Sequence, residues 1–226
     1  LALTEEELEN VAQAAGANDR LAVGFNRRFS SLARAAQEFF AGRQSPLSIH
    51  YRVNAGRIPR SHWVHDARDG GGRIIGEVCH FIDLIHFLTG SLTTRVYAES
   101  IAGDNHEAPD TDSIFVTLRL ADGSNAGIAY LAEGDKALPK ERIEIFGTGK
   151  SFVIEDFRRA TSYQDGKSKT TKLREQDKGQ RDEIRAVCAM VLEGKPAPIS
   201  LEDLVTTTRA TFKITESLRT GMPVEV

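Results

Sequence analysis

Ile114, Val116, Leu118 and Leu120 fall at every second position, and this period of two constrains the fold more than any other feature of the chain. Asp122-Gly123 then reads as a hairpin turn into "SNAGIAYL". "ERIEIFG", a "TGK" turn and "SFVIE" form a second hairpin, and "ATSY", "QDGKSK" and "TTKL" a weaker third. From 93 to 173 the chain is strand after strand, which predicts a largely antiparallel sheet with one buried face. The other face, left uncovered, predicts at least a homodimer.

Helical periods flank this region. Thr4 and Glu7 have capping-box spacing, and Leu8, Val11, Ala12 and Ala15 make a stripe ending at Gly16. "LAVGF" (21–25) is a continuous apolar run, the pattern of a strand covered on both faces in a parallel α/β unit. A helix over about 31–41 turns Leu32, Ala35, Ala36 and Phe39 inward. Leu47, Ile49, Tyr51 and Val53 alternate as a half-buried strand, and 54–69 is a long loop of the kind used for binding. A helix over about 72–89 follows it. Two more close the chain: about 178–193, with Ile184, Val187, Cys188 and Val191 as its stripe, and 201–219, opened by Ser200 with Asp203. The expected class is α+β: a largely antiparallel, mixed open sheet with helices on one face, and a helix–strand remnant of a parallel α/β domain ahead of it. That remnant takes residues 1–28 and the α+β domain 29–226.

A net charge of −3 favours neither nucleic acid nor an anionic membrane as partner, and no apolar run reaches the length of a bilayer span. Cys79 and Cys188 lack a CxxC spacing and read as two buried thiols in a reducing cytoplasm.

"DGGGRIIGEVCHFIDLIHFLTG" (69–90) concentrates the polar chemistry. A phosphate cradle needs a strand before its glycines, and "HDARD" is none. A metal site could draw on His80, Asp83 and His86, but their spacing drifts around the helix and no HExxH is present. The third reading uses Gly76, His80, Asp83 and Phe87 as one stripe, in which Gly76 clears space before His80. A neutral imidazole there relays a proton at physiological pH, and Asp83 could fix its tautomer. A buried helix histidine paired with Asp83 remains the alternative.

The same stretch resembles the glycine-rich turn and active-site helix of the Gfo/Idh/MocA oxidoreductases. "LAVGFNRRFS" is similar to the end of that family's Rossmann domain, "IEIFGTGKSFVIEDF" to its sheet, and "DKGQRDEI…AVCAMVLEGKPAPIS" to its closing helices. "RIPRSHWVHDARDGGGRIIGEVCHFIDL" and "KERIEIFG" look closest to the branch fused behind a zinc alcohol-dehydrogenase-like domain. The resemblance implies an upstream Rossmann domain, NAD or NADP as cofactor of the intact parent, and a Glu-Lys-Pro segment with a catalytic lysine just ahead of Leu1. This chain would then be the substrate-binding and dimerisation domain, inactive alone and with no cofactor expected bound to it. The substrate would be a sugar, a polyol or a related carbohydrate-like small molecule.

The family's helix carries Asp four residues before the histidine. Here that position is Gly76, and Glu77 beside it points about 100° away on a regular helix. Either His80 acts alone, or Glu77 enters through a distorted first turn, or the chemistry has been lost. His80 and Glu77 are therefore the catalytic candidates. Asn26 and Arg28 are candidate substrate contacts at a strand end, and Arg27 a candidate cofactor contact. Arg60, His62 and Trp63 suit a sugar, with an aromatic face and donors, and Asp83 joins them. Lys136, Lys140 and Arg142 read as a solvated edge, and Lys178, next to Asp177, as surface.

Overall fold

The computed structural model describes residues 1–16, 20–59, 61–66, 68–101 and 112–226. Its centre is a nine-stranded sheet, β1 (Ser48–Asn54), β2 (Thr93–Ser100), β3 (Ile114–Leu120), β4 (Asn125–Leu131), β5 (Glu141–Gly147), β6 (Lys150–Glu155), β7 (Arg159–Gln164), β8 (Lys167–Lys172) and β9 (Val224–Glu225). The order is β8-β7-β6-β5-β1-β4-β3-β2-β9. Among the described residues only β1 and β4 pair in parallel, so the sheet is mixed and largely antiparallel, as the hairpin succession predicts.

The alternation in β3 sends Ile114, Val116, Leu118 and Leu120 inward and Phe115, Thr117 and Arg119 outward. Pairing carries that phase across the sheet, so Tyr51 and Ile143, which face each other, share the inner side. Helix α1 (Glu5–Gly16) opens the chain, and helices α2 (Ser31–Phe39), α3 (Cys79–Thr89) and α5 (Leu201–Thr220) cover the inner side, burying Leu32, Ile82, Ile85 and Ile214 against the strands. Ser200 caps α5 by accepting the Asp203 N–H at 3.1 Å, as the spacing predicts.

Three expectations need correction. Residues 21–25 belong to no strand: the Phe25 N–H bonds the Val23 carbonyl at 2.7 Å and the Asn26 N–H the Gly24 carbonyl at 2.9 Å, two tight local turns at the end of the run. Leu21 and Val23 instead lie half-buried against the small core of Phe25, Phe29, Cys79, Ile199 and Leu204, and Gly24 is exposed. Helix α4 (Gln180–Glu193) buries only Met190, while Ile184 and Val191 are 62% and 59% exposed and Cys188 is open to solvent. Its stripe is real, but nothing among the described residues covers it. In α2, Ala35 is exposed and Ala33 takes the inner place.

Gly179 fixes how α4 meets the rest. Its φ is +89°, and a Cβ there would stand 2.2 Å from the Asn26 carbonyl and 2.6 Å from the Ser30 nitrogen. Backbone cannot yield as a flexible side chain does, so Gly179→Ala is expected to cost about 1–3 kcal/mol. Urea unfolding measures this, and an unchanged midpoint would refute the close approach.

Candidate functional site

Helix α3 begins irregularly. Ile74–Val78 form a π-helical turn ahead of Cys79, a wide turn of the sort found at functional sites. Gly70 permits it, since a Cβ there would lie 2.5 Å from the backbone of Trp63 and Val64. Gly70, Gly76 and His80 line a cleft of about 510 Å³ with Leu1, Leu3, Val23 and Phe25 among the other walls. Gly76 and His80 thus face the same space, as their spacing predicts.

His80 stands edge-on to Phe25, with ring centroids 5.5 Å apart, and its buried Nδ1 has no hydrogen-bond partner among the described residues. Burial, then the Arg27 charge, push its pKa down from 6.5 to about 4, so the imidazole is neutral at physiological pH. Between pH 6.5 and about 4 the unfolded chain takes up a proton that the folded chain refuses. This group therefore lowers stability as pH falls through that window. An NMR titration of the His80 ring is expected to end well below the ordinary histidine range; a midpoint at 6.5 would mean the ring is solvated.

Behind His80 lies a buried cluster that sequence reasoning missed. Arg27 donates from Nε and Nη2 to Glu141 at 2.8 and 3.1 Å, Lys178 Nζ donates to Glu141 at 2.6 Å, and Tyr51 Oη donates to the same carboxylate. Burial alone pushes the Glu141 carboxyl up, but Arg27 and Lys178 outweigh it and hold it at about 2. A signal was available: if Ile143 and Ile145 point inward on β5, Glu141 shares their phase. Arg27, expected at a cofactor, is fixed here and does not line the cleft. Lys178, read as surface, belongs to the cluster.

The other expected residues are dispersed. Arg28 forks onto Asp83, with Nη2 2.6 Å from Oδ1, so Asp83 supports Arg28 and does not orient His80. Burial pushes Asp83 up to about 6 against the pull of Arg28. Asn26 Nδ2 donates to the Lys178 carbonyl at 2.7 Å. His62 accepts the Val64 N–H at 3.3 Å, capping a short 3-10 turn, and Trp63 is 64% exposed. Arg60 lies outside the described residues. Glu77 accepts from Arg73 Nε at 3.0 Å and is absent from the cleft lining, though its charge still acts on His80.

His80, Asp83 and His86 do not converge as metal ligands would. His86 Nε2 accepts the Thr93 N–H at 3.1 Å and its Nδ1 lies 3.2 Å from Thr207 Oγ1, on a different side of α3 from the cleft. Cys79 is no nucleophile either, since burial pushes its thiol up to about 12.

The fold and this helix have relatives. Residues 34–153, more than half of the chain, match the model of the GFO/IDH/MocA C-terminal domain. The "Uncharacterized oxidoreductase YrbE" of Bacillus subtilis is 27% identical over 144 residues, covering 62% of this chain and 42% of that protein. The oxidoreductase domain protein from Kribbella flavida superposes with a TM-score of 0.82 at 19% identity, over 100% of this chain and 72% of its own. Aldose-aldose oxidoreductase from Caulobacter crescentus, complexed with glycerol, gives 0.79 at 18%, over 100% and 70%. UDP-N-acetylglucosamine 3-dehydrogenase GnnA from Acidithiobacillus ferrooxidans gives 0.76 at 18%, over 96% and 67%. These likenesses show the fold; the domain match shows the lineage, and the chain belongs to the Gfo/Idh/MocA family, whose C-terminal domain it carries over residues 34–153.

Proposed function

We propose that this chain is the substrate-binding and oligomerisation part of an NAD(P)-dependent oxidoreductase acting on a sugar, a polyol or a nucleotide sugar. The observation that carries the reading is a neutral His80 on the wall of the cleft that Leu1 and Leu3 also line, with its Nδ1 buried and without a hydrogen-bond partner among the described residues. Aldose and nucleotide-sugar enzymes stand among the relatives. In oxidation His80 takes the hydroxyl proton of the reacting carbon, and in reduction it returns it. The lysine of an upstream Glu-Lys-Pro would arrive beside it along Leu1–Leu3.

The cleft suits one end of the cofactor. Gly24, Gly70 and Gly76 leave its wall bare, and Leu3, Val23 and Ile75 line it with apolar surface, a setting for a flat ring such as nicotinamide. The bound dinucleotide would supply or accept the hydride, and its phosphates would fall to the upstream Rossmann domain. The chain alone would therefore be inactive. The outer sheet face, with Phe115, Phe146 and Tyr163 at 56%, 45% and 45% exposure, is the proposed homodimer surface. The two unpaired cysteines suit a reducing cytoplasm, and no helix among the described residues is long and apolar enough to cross a membrane. The resemblance of 57–84 and 140–147 supports the branch fused behind a zinc alcohol-dehydrogenase-like domain.

One observation favours a second reading. Gly76 stands where the family pattern has a carboxylate, so the fold could serve as a ligand-binding or assembly module without turnover. The test uses the protein with its upstream residues, incubated with UDP-N-acetylglucosamine, D-glucose or myo-inositol and either nicotinamide cofactor. Reduction of the cofactor supports the oxidoreductase. Ligand binding without any reduction selects the binding module.

A further inference from the structure

A proton-transfer ring works only if it is held to within about 0.5 Å and 10–20° of its productive pose. His80 is not held by a hydrogen bond at Nδ1, which is buried and has no partner among the described residues. Asp83, one turn further along α3, is taken by Arg28. The ring contact that remains is Phe25, edge-on with centroids 5.5 Å apart. Phe25 opens the 3-10 turn Asn26–Phe29, so whatever anchors that turn also places Phe25.

Arg27 sits inside that turn and ties it to its surroundings. Its fork onto Glu141, with bonds of 2.8 and 3.1 Å, fastens the turn to β5. Its guanidinium lies 4.9 Å from the centre of the Phe81 ring, the side chain that follows His80 in α3. One side chain therefore joins the turn, the sheet and the helix that meet at His80. Asn26 secures the same turn through the Lys178 carbonyl.

The guanidinium also brings a fixed charge. Burial and then Arg27 push His80 down, Glu141 and Glu77 pull it up, and Lys140 pushes it down last. These groups reach the ring from the 3-10 turn, from β5 and from the π-helical turn. Glu7 of α1 lines the same cleft, where its carboxylate accepts the Leu3 N–H at 2.8 Å. Arg27 acts on His80 more strongly than its own partner Glu141, so the pair presents the imidazole with a net positive field.

We propose that Arg27 is a positioning residue for His80: its fork onto Glu141 sets the turn that lays Phe25 against the imidazole, and its guanidinium fixes a positive charge beside that ring. The inference rests on the reading of His80 given above and adds to it a residue that acts through His80 without lining the cleft.

The experiment is an NMR titration of the imidazoles of this chain, in which the His80 signals are those lost in His80→Ala. It is run on Arg27→Gln and Arg27→Lys. In Arg27→Gln the Glu141 carboxylate keeps Lys178 and Tyr51, so it is not left alone inside. Arg27→Gln is expected to raise the His80 midpoint from about 4 toward 6.5. Arg27→Lys keeps the charge and loses the fork, so its midpoint should stay low while the ring signals of His80 move. In the protein with its upstream residues, Arg27→Lys should lower kcat by about 10–10²-fold and leave the acid limb of the pH profile in place. A purely structural role would open the site and raise the midpoint alike in both variants, which overturns the proposal. An unmoved midpoint in Arg27→Gln overturns it too, as do ring signals that stay in place in Arg27→Lys. If Arg27→Gln does not fold, Arg27→Met joined to Lys178→Met and Glu141→Leu removes the whole cluster and should still raise the midpoint; no rise there is equally fatal. Absence of turnover in the whole protein removes the oxidoreductase reading alone, because the titration needs no turnover.

Discussion

Glu141→Leu is expected to destabilise the protein by about 3–5 kcal/mol, the cost of removing one partner from a buried ionic cluster. The carboxylate is fully buried and accepts from Arg27, Lys178 and Tyr51. Its removal leaves two cations with no counter-charge inside. The sign of the pH dependence follows from the same contacts. Arg27 and Lys178 hold Glu141 at about 2 in the folded protein, against 4.5 for a free glutamate. Its contribution is complete above 4.5 and disappears as pH falls through about 2. The gap between Glu141→Leu and the original protein, read from urea unfolding, should therefore narrow as the solution is acidified. A gap that stays constant would mean that packing, not charge, sets the loss. Adding Arg27→Met and Lys178→Met to Glu141→Leu should recover much of the stability, since an apolar set of similar volume substitutes well for a buried ionic one.

What could be read from the sequence divides along the range of the physics. The sheet was legible because alternation is local: Ile114 to Leu120 carry their own phase, and each hairpin turn hands it to the next strand. The Ser200 cap was legible for the same reason. Burial on a helix is less local. The stripe of α4 has the right period, yet Ile184 and Val191 remain open, because periodicity says that a face is apolar and not which surface covers it. The run 21–25 is only half-buried, with Phe25 in a small core and no described strand beside it, a difference that an apolar run does not encode. His80 and Gly76 were legible by spacing. The groups around them were not, because Glu141 meets Arg27 across 114 residues and Tyr51 across 90. Only the buried phase of Glu141 beside Ile143 and Ile145 hinted that such a carboxylate needed partners.

His80→Ala in the protein with its upstream residues is expected to lower kcat by about 10²–10⁴-fold, the range for losing a positioned proton-transfer group. KM should change little, because the ring is proposed to move a proton in the transition state and not to hold the ligand. The loss belongs to the chemical step, so it appears equally in kcat and in kcat/KM. Gly76→Asp supplies the opposite perturbation. A Cβ at Gly76 would stand 3.7 Å from the Gly70 carbonyl and 3.8 Å from Val64 Cγ2, ordinary contacts that leave the turn undisturbed. The new carboxylate would enter the cleft that His80 lines and would raise the depressed pKa of the imidazole toward its ordinary range. If Glu77 already serves as the acidic partner through the π-helical turn, Gly76→Asp should gain little, and Glu77→Gln should cost nearly as much as His80→Ala. If His80 works alone, Glu77→Gln should be mild and Gly76→Asp should raise the rate and move the acid limb of the pH profile upward. If neither variant changes turnover because none is present, the cleft binds without reacting, and Gly76 marks the point at which the catalytic pair was given up.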